Sequence, residues 1–89
     1  MSNAKKKLAN LIRNYRCKAG MSQLFLSYST GYTTNCIISR VETGDYTPSP
    51  EIAFKLGKVL QIPDEDLFNG LIEIAAENIR EKMKSVQIQ

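Results

Sequence analysis

Ser22-Gln23-Leu24-Phe25-Leu26, answered further along by Ser39-Arg40-Val41-Glu42-Thr43-Gly44, decides the fold of this 89-residue chain. Ser22 carries the hydroxyl that accepts from the free amides of a helix start. Gly31 stands where that helix must stop, since a sharp stop uses a left-handed backbone that glycine tolerates. Thr33 or Thr34 can then cap a second helix carrying Ile37, Ile38 and Val41. Two short helices joined by a tight turn form a helix-turn-helix, the arrangement that lays its second helix in a DNA major groove.

Working outward, an N-terminal helix is expected over about 4–19. Leu8, Ile12, Tyr15 and Ala19 recur at four-three-four spacing and make one apolar stripe, which Gly20 ends. Residues 1–7, with Lys5, Lys6 and Lys7, read as a flexible basic arm. It either touches phosphates or is only a solvated helix start. The next helix spans roughly 23–30 with Leu26 and Thr30 inward. Leu24, Phe25 and Tyr28 on the same helix either enlarge the core locally or form an apolar contact patch for another protein. The helix after it covers about 34–42, with Asn35, Cys36, Ser39 and Arg40 left for its outer face and residues 43–47 as a loop.

Ser49 and Pro50 then open a helix as cap and first helical residue, where a missing N–H costs nothing. Ala53, Leu56, Gly57 and Leu60 form its buried stripe. Asp64, Glu65 and Asp66 start a further helix, because negative charge complements a helix N-terminus. Leu67 and Phe68 pack back, and Asn69-Gly70 is a candidate stop, with a continuous helix from Asp64 through Gly70 as the alternative. Residues 71–84 read as an additional helix with Ile72, Ala75, Ile79 and Met83 at three-four-four spacing.

The series of phrases resembles a family. From Leu8 to Phe68 the chain is similar to phage-repressor/Cro-type (XRE-like) helix-turn-helix transcription regulators. The resemblance lies in Ile12-Arg13-Asn14-Tyr15-Arg16, Gly20-Met21-Ser22-Gln23, Ile38-Ser39-Arg40-Val41-Glu42-Thr43-Gly44, Pro48-Ser49 and Ile62-Pro63-Asp64-Glu65-Asp66-Leu67-Phe68. These fall in the family's order over about two-thirds of the chain. It implies an all-α fold: a compact five-helix, lambda-repressor-like DNA-binding domain over 8–69, with the additional C-terminal helix in 70–89. From Gly31 to Ile38 the chain is one residue longer than the usual family turn. That leaves the start of the recognition helix open by one position.

The resemblance also implies roles. Arg16 pairs with Glu42 as a structural ion pair between the first helix and the end of the recognition helix. The loop with Tyr46 and Thr47 lies along the DNA backbone, where their hydroxyls suit a phosphate, and Asp45 points away or serves a turn. For the groove itself, phosphate contacts position and base contacts specify. Gln23 has an amide for a phosphate at the start of its helix, and Thr33 and Thr34 have hydroxyls for the same use. Asn35 matches adenine N6/N7, Arg40 matches guanine O6/N7, and Cys36 can lie against a thymine methyl beside Ser39.

Charge agrees with a polyanionic partner. Residues 1–41 hold seven basic side chains and no acid, whereas residues 42–89 hold nine acids against five bases, for a net +3. A basic half that contains the helix-turn-helix suits double-stranded DNA. The family core is complete before the last helix, so Ile72, Ala75, Ile79 and Met83 need a partner, either in the same domain or in a second copy. A homodimer on a two-fold operator is expected, with an antitoxin or adaptor that binds a protein as the alternative. With two cysteines, no CxxC and no histidine, no zinc site is expected. Nothing suggests a cofactor, a small-molecule substrate or an enzyme: no glycine-rich phosphate loop occurs, and no nucleophile stands beside an evident base. No apolar run approaches the roughly 20 residues of a membrane span, and no export signal is evident, so a cytoplasmic location is expected.

Overall fold

A computed structural model of the chain describes residues 3–31 and 36–87, with side chains described up to residue 84. Five helices follow in order: α1 (Asn3–Lys18), α2 (Gln23–Ser29), α3 (Cys36–Thr43), α4 (Pro50–Leu60) and α5 (Asp64–Gln87). No strand occurs among the described residues. No helix among them is long and apolar enough to cross a membrane.

Each helix sends at least one fully buried aliphatic side chain to a common centre: Ile12, Leu26, Ile38, Leu56 and Leu67. Burying a side chain of that size stabilises by about 1.5–3 kcal/mol, so these five dominate the small core. α1 is the central element, packed on α3, α4 and α5, and α2 bridges α3 and α4.

Local chemistry sets the helix ends. Ser22 lies in an extended conformation and its hydroxyl accepts from the Phe25 amide at 3.0 Å. Ser49 does the same for Ile52 ahead of Pro50. Gly31, at φ +95°, follows α2 in the left-handed region that only glycine enters freely.

Several expectations need correction, among them that Phe68 packs back beside Leu67, because Phe68 is exposed. Of the two readings of residues 3–7 the helix start holds and the flexible arm does not: they are the first turns of α1, where Ala4 is buried in the core cluster and Lys7 reaches Glu73 of α5 at 3.9 Å. The α1 stripe ends before Ala19, which lies beyond Lys18 and is exposed. Leu24, Phe25 and Tyr28 do not enlarge the core: all three are exposed, and α2 turns Leu26, Ser27 and Thr30 inward instead. Asn69-Gly70 is no stop, so of the two readings the continuous helix holds, and residue 70, placed as a domain boundary, lies inside α5. The reason is packing. A glycine inside a helix costs about 1 kcal/mol, but Gly70 lies against Leu8, whose Cδ1 would sit 3.2 Å from an added Cβ. Leu67, Leu71 and Ile74 carry the same contact surface past the glycine.

Candidate nucleic-acid interface

Residues Cys36, Ser39, Arg40 and Thr43 stand three and four apart and so share one side of α3. Cys36, Arg40 and Thr43 are exposed and Ser39 is half-buried, whereas Ile38, Val41 and Glu42 face inward. The outer edge of α3 is therefore open and its inner edge is anchored.

The anchor is a charged cluster under the end of α3. Arg16 donates from Nε to Glu42 Oε2 at 2.6 Å and from Nη2 to Glu42 Oε1 at 3.0 Å. Its Nη1 donates to the Met21 carbonyl at 2.7 Å. Gln23 Nε2 donates to the same Glu42 Oε1 at 3.1 Å. Four segments meet there: α1, the α1–α2 turn, the start of α2 and the end of α3. The Arg16 and Glu42 side chains are only 14 % and 4 % exposed. Donating to Glu42 raises the Arg16 pKa above its ordinary value, against the opposing effect of burial. The guanidinium thus stays charged where it is held.

After Thr43 the chain turns sharply. Gly44 takes φ +83°, and the amides of Asp45 and Tyr46 both donate to the Arg40 carbonyl, at 3.0 and 3.2 Å. Thr43 Oγ1 lies 3.0 Å from that carbonyl and 3.2 Å from Asp45 Oδ2, and its single proton serves one of them at a time. Asp45 therefore belongs to the turn. Tyr46 is exposed and Thr47 half-buried just beyond it.

The expected contact residues are placed unequally. Cys36, Ser39 and Arg40 come together on the open edge of α3. Gln23 is half-buried with one amide hydrogen committed to Glu42, so only its other hydrogen is left for a phosphate. Thr33, Thr34 and Asn35 lie outside the described residues. Thr43, expected in the loop, closes α3 instead and extends its exposed edge. Gly44 directly after it was the available signal, since glycine is favoured one place past a helix end.

A helix-turn-helix family model matches residues 12–67, from inside α1 to the start of α5. The chain belongs to the Cro/C1-type, XRE-like helix-turn-helix family. An uncharacterized HTH-type transcriptional regulator of Archaeoglobus fulgidus is 39% identical over 57 residues, covering 64% of this chain and 80% of its own length. Two others, from Methanocaldococcus jannaschii and Bacillus subtilis, are each 33% identical over 61 residues, covering 68% of this chain and 91% of their own. Membership in this helix-turn-helix family, with these relatives, supports a DNA-binding regulator.

Proposed function

We propose that this helix-turn-helix protein is a sequence-specific transcriptional regulator, a repressor, that places α3 in the major groove of double-stranded DNA. The observation that carries this is the open edge of α3, with Cys36, Arg40 and Thr43 exposed over an anchored Ile38, Val41 and Glu42. Arg40 reads guanine, Cys36 and Ser39 lie on neighbouring bases, and Tyr46 and Thr47 hold the phosphate backbone. Gln23 offers its remaining hydrogen to a phosphate at the start of α2, Thr33 and Thr34 offer hydroxyls to phosphates, and Asn35 reads adenine.

One such domain covers few base pairs, so it works as a homodimer on a two-fold operator whose half-sites lie about one helical turn apart. The dimer forms through Ile72, Ala75, Ile79 and Met83, all exposed on α5. The cytoplasm, where the DNA is, is its place of action.

Selection of bound sites from a random duplex library tests the reading. A half-site repeated with two-fold symmetry is the expected result, with affinity falling steeply as salt rises. No enrichment at low salt would end it.

A second reading has its own support. Leu24, Phe25 and Tyr28 form an exposed apolar patch on α2, which suits an antitoxin or adaptor that binds a protein. Binding of that kind would be insensitive to salt.

A further inference from the structure

The apolar row on α5 has a direction that its exposure alone does not give. Leu67, Leu71 and Ile74 face the globule. At 3.6 residues per turn, Phe68, Ile72, Ala75, Ile79 and Met83 fall in one stripe of the same helix, about a third of a turn round from that inward face. Phe68, Ile72, Ile79 and Met83 are each 50–58% exposed. Phe68 to Ile79 and Ile72 to Met83 are both eleven-residue steps, a period close to that of a straight helix. A partner helix can follow such a row without strong supercoiling.

We propose that α5 pairs antiparallel with α5 of a second copy, Ala75 and Ala76 flanking the two-fold axis. This rests on the homodimer reading above and adds its direction and register. The row is self-complementary when reversed: Ile72 meets the partner's Ile79, Phe68 meets the partner's Met83, and the alanines meet each other. Small side chains at the crossing let the two axes approach, and large ones fill the space on either side. Beside Phe68, an open hollow lined by Phe54, Lys58, Asp64 and Glu65 receives the partner's Met83.

Charge selects this direction over the parallel one. The first turn of α5 carries Asp64, Glu65 and Asp66. Its far end carries Arg80, Lys82 and Lys84 against Glu81. Antiparallel pairing lays each acidic end along the partner's basic end and brings Arg80 near the partner's Glu73. Parallel pairing would set acids beside acids and bases beside bases. The helix dipoles also oppose one another only in the antiparallel arrangement.

Single cysteines in a Cys17→Ser, Cys36→Ser background test the register. Ala75→Cys should form a disulfide-linked dimer with itself under mild oxidation. Ile72→Cys and Ile79→Cys, refolded as a mixture, should give roughly tenfold more cross-link than either alone, because disulfides need Cα atoms within about 7 Å. Efficient self-linking of Ile72→Cys and Ile79→Cys would show parallel helices and overturn the register while leaving the homodimer standing. A dimer by sedimentation that never links through Ala75→Cys would overturn it equally. A chain that sediments as a monomer at every concentration tested would remove the homodimer reading itself.

Discussion

Arg16 and Glu42 are joined by two guanidinium–carboxylate hydrogen bonds across 26 residues of sequence, and the pair is nearly closed to solvent. Such a pair is not automatically stabilising, because both ions were stripped of water. Breaking it is the costly step. Arg16→Ala or Glu42→Gln alone should lower unfolding free energy by about 3–5 kcal/mol, since each leaves a buried charge without its counter-ion. Arg16→Met with Glu42→Leu should recover most of that loss. Urea unfolding of the three variants checks this. Because Glu42 raises the Arg16 pKa, the folded state holds the proton more tightly than the unfolded chain. That contribution is complete below the unfolded value and is lost only in strongly alkaline solution. Neutral pH should therefore leave the arginine's share of stability flat.

Ser27 lies fully buried on α2, and its hydroxyl has no hydrogen-bond partner among the described residues. An unsatisfied buried hydroxyl costs about 1–3 kcal/mol. Ser27→Ala removes the oxygen, keeps the Cβ and improves helix propensity. The variant should be as stable as the parent or more so by about 1 kcal/mol. A lower midpoint in thermal unfolding would mean that the hydroxyl is satisfied.

Gly57 and Gly70 should respond in opposite ways to the same change. A Cβ on Gly57 would overlap Leu67 Cδ1, the end of a fully buried side chain that would have to rotate inside the packed core. Overpacking of that kind costs about 1–3 kcal/mol and outweighs the roughly 1 kcal/mol gained in helix propensity. On Gly70 the nearest atom is Leu8 Cδ1 at 3.2 Å, a side-chain end that needs to shift by only a few tenths of an ångström. Gly70→Ala should therefore be neutral or stabilising while Gly57→Ala destabilises. Denaturant midpoints of the two variants decide it.

Much of this architecture is written locally. The caps at Ser22 and Ser49, the stop at Gly31 and the buried row Ala53, Leu56, Gly57 and Leu60 follow from residue type and spacing alone. Three features depend on contacts distant in sequence, and local signals do not show those contacts. Ala4 is fixed by the far end of the chain, where its amide donates to Glu77 Oε1 at 3.3 Å. Gly70 looks like a helix stop until Leu8 is placed against it. Gln23 stands at the start of α2 as expected, but one of its amide hydrogens goes to Glu42, nineteen residues on. The open edge of α3 was readable from its period, but the Thr43 end of that edge depends on where the turn at Gly44 begins.

Arg40 offers the clearest separation of base reading from backbone binding. Its carbonyl holds the turn after α3, through the Asp45 and Tyr46 amides, while its side chain is exposed. Substitution removes the guanidinium and keeps the carbonyl, so the fold should be unaffected. Arg40→Ala should then lose about 1–3 kcal/mol of discrimination at one base pair per half-site, with little change elsewhere. Arg40→Lys keeps the charge but not the planar two-pronged donor that matches guanine O6 and N7, so it should restore overall affinity without restoring the preference. Competition binding on an operator and its single-base variants, repeated over a range of salt, measures both. If Arg40 instead holds a phosphate, Arg40→Ala will weaken every sequence alike and reduce the salt slope by about one. In that case Arg40→Lys will rescue binding fully, and the guanine-reading role must pass to another residue of the α3 edge.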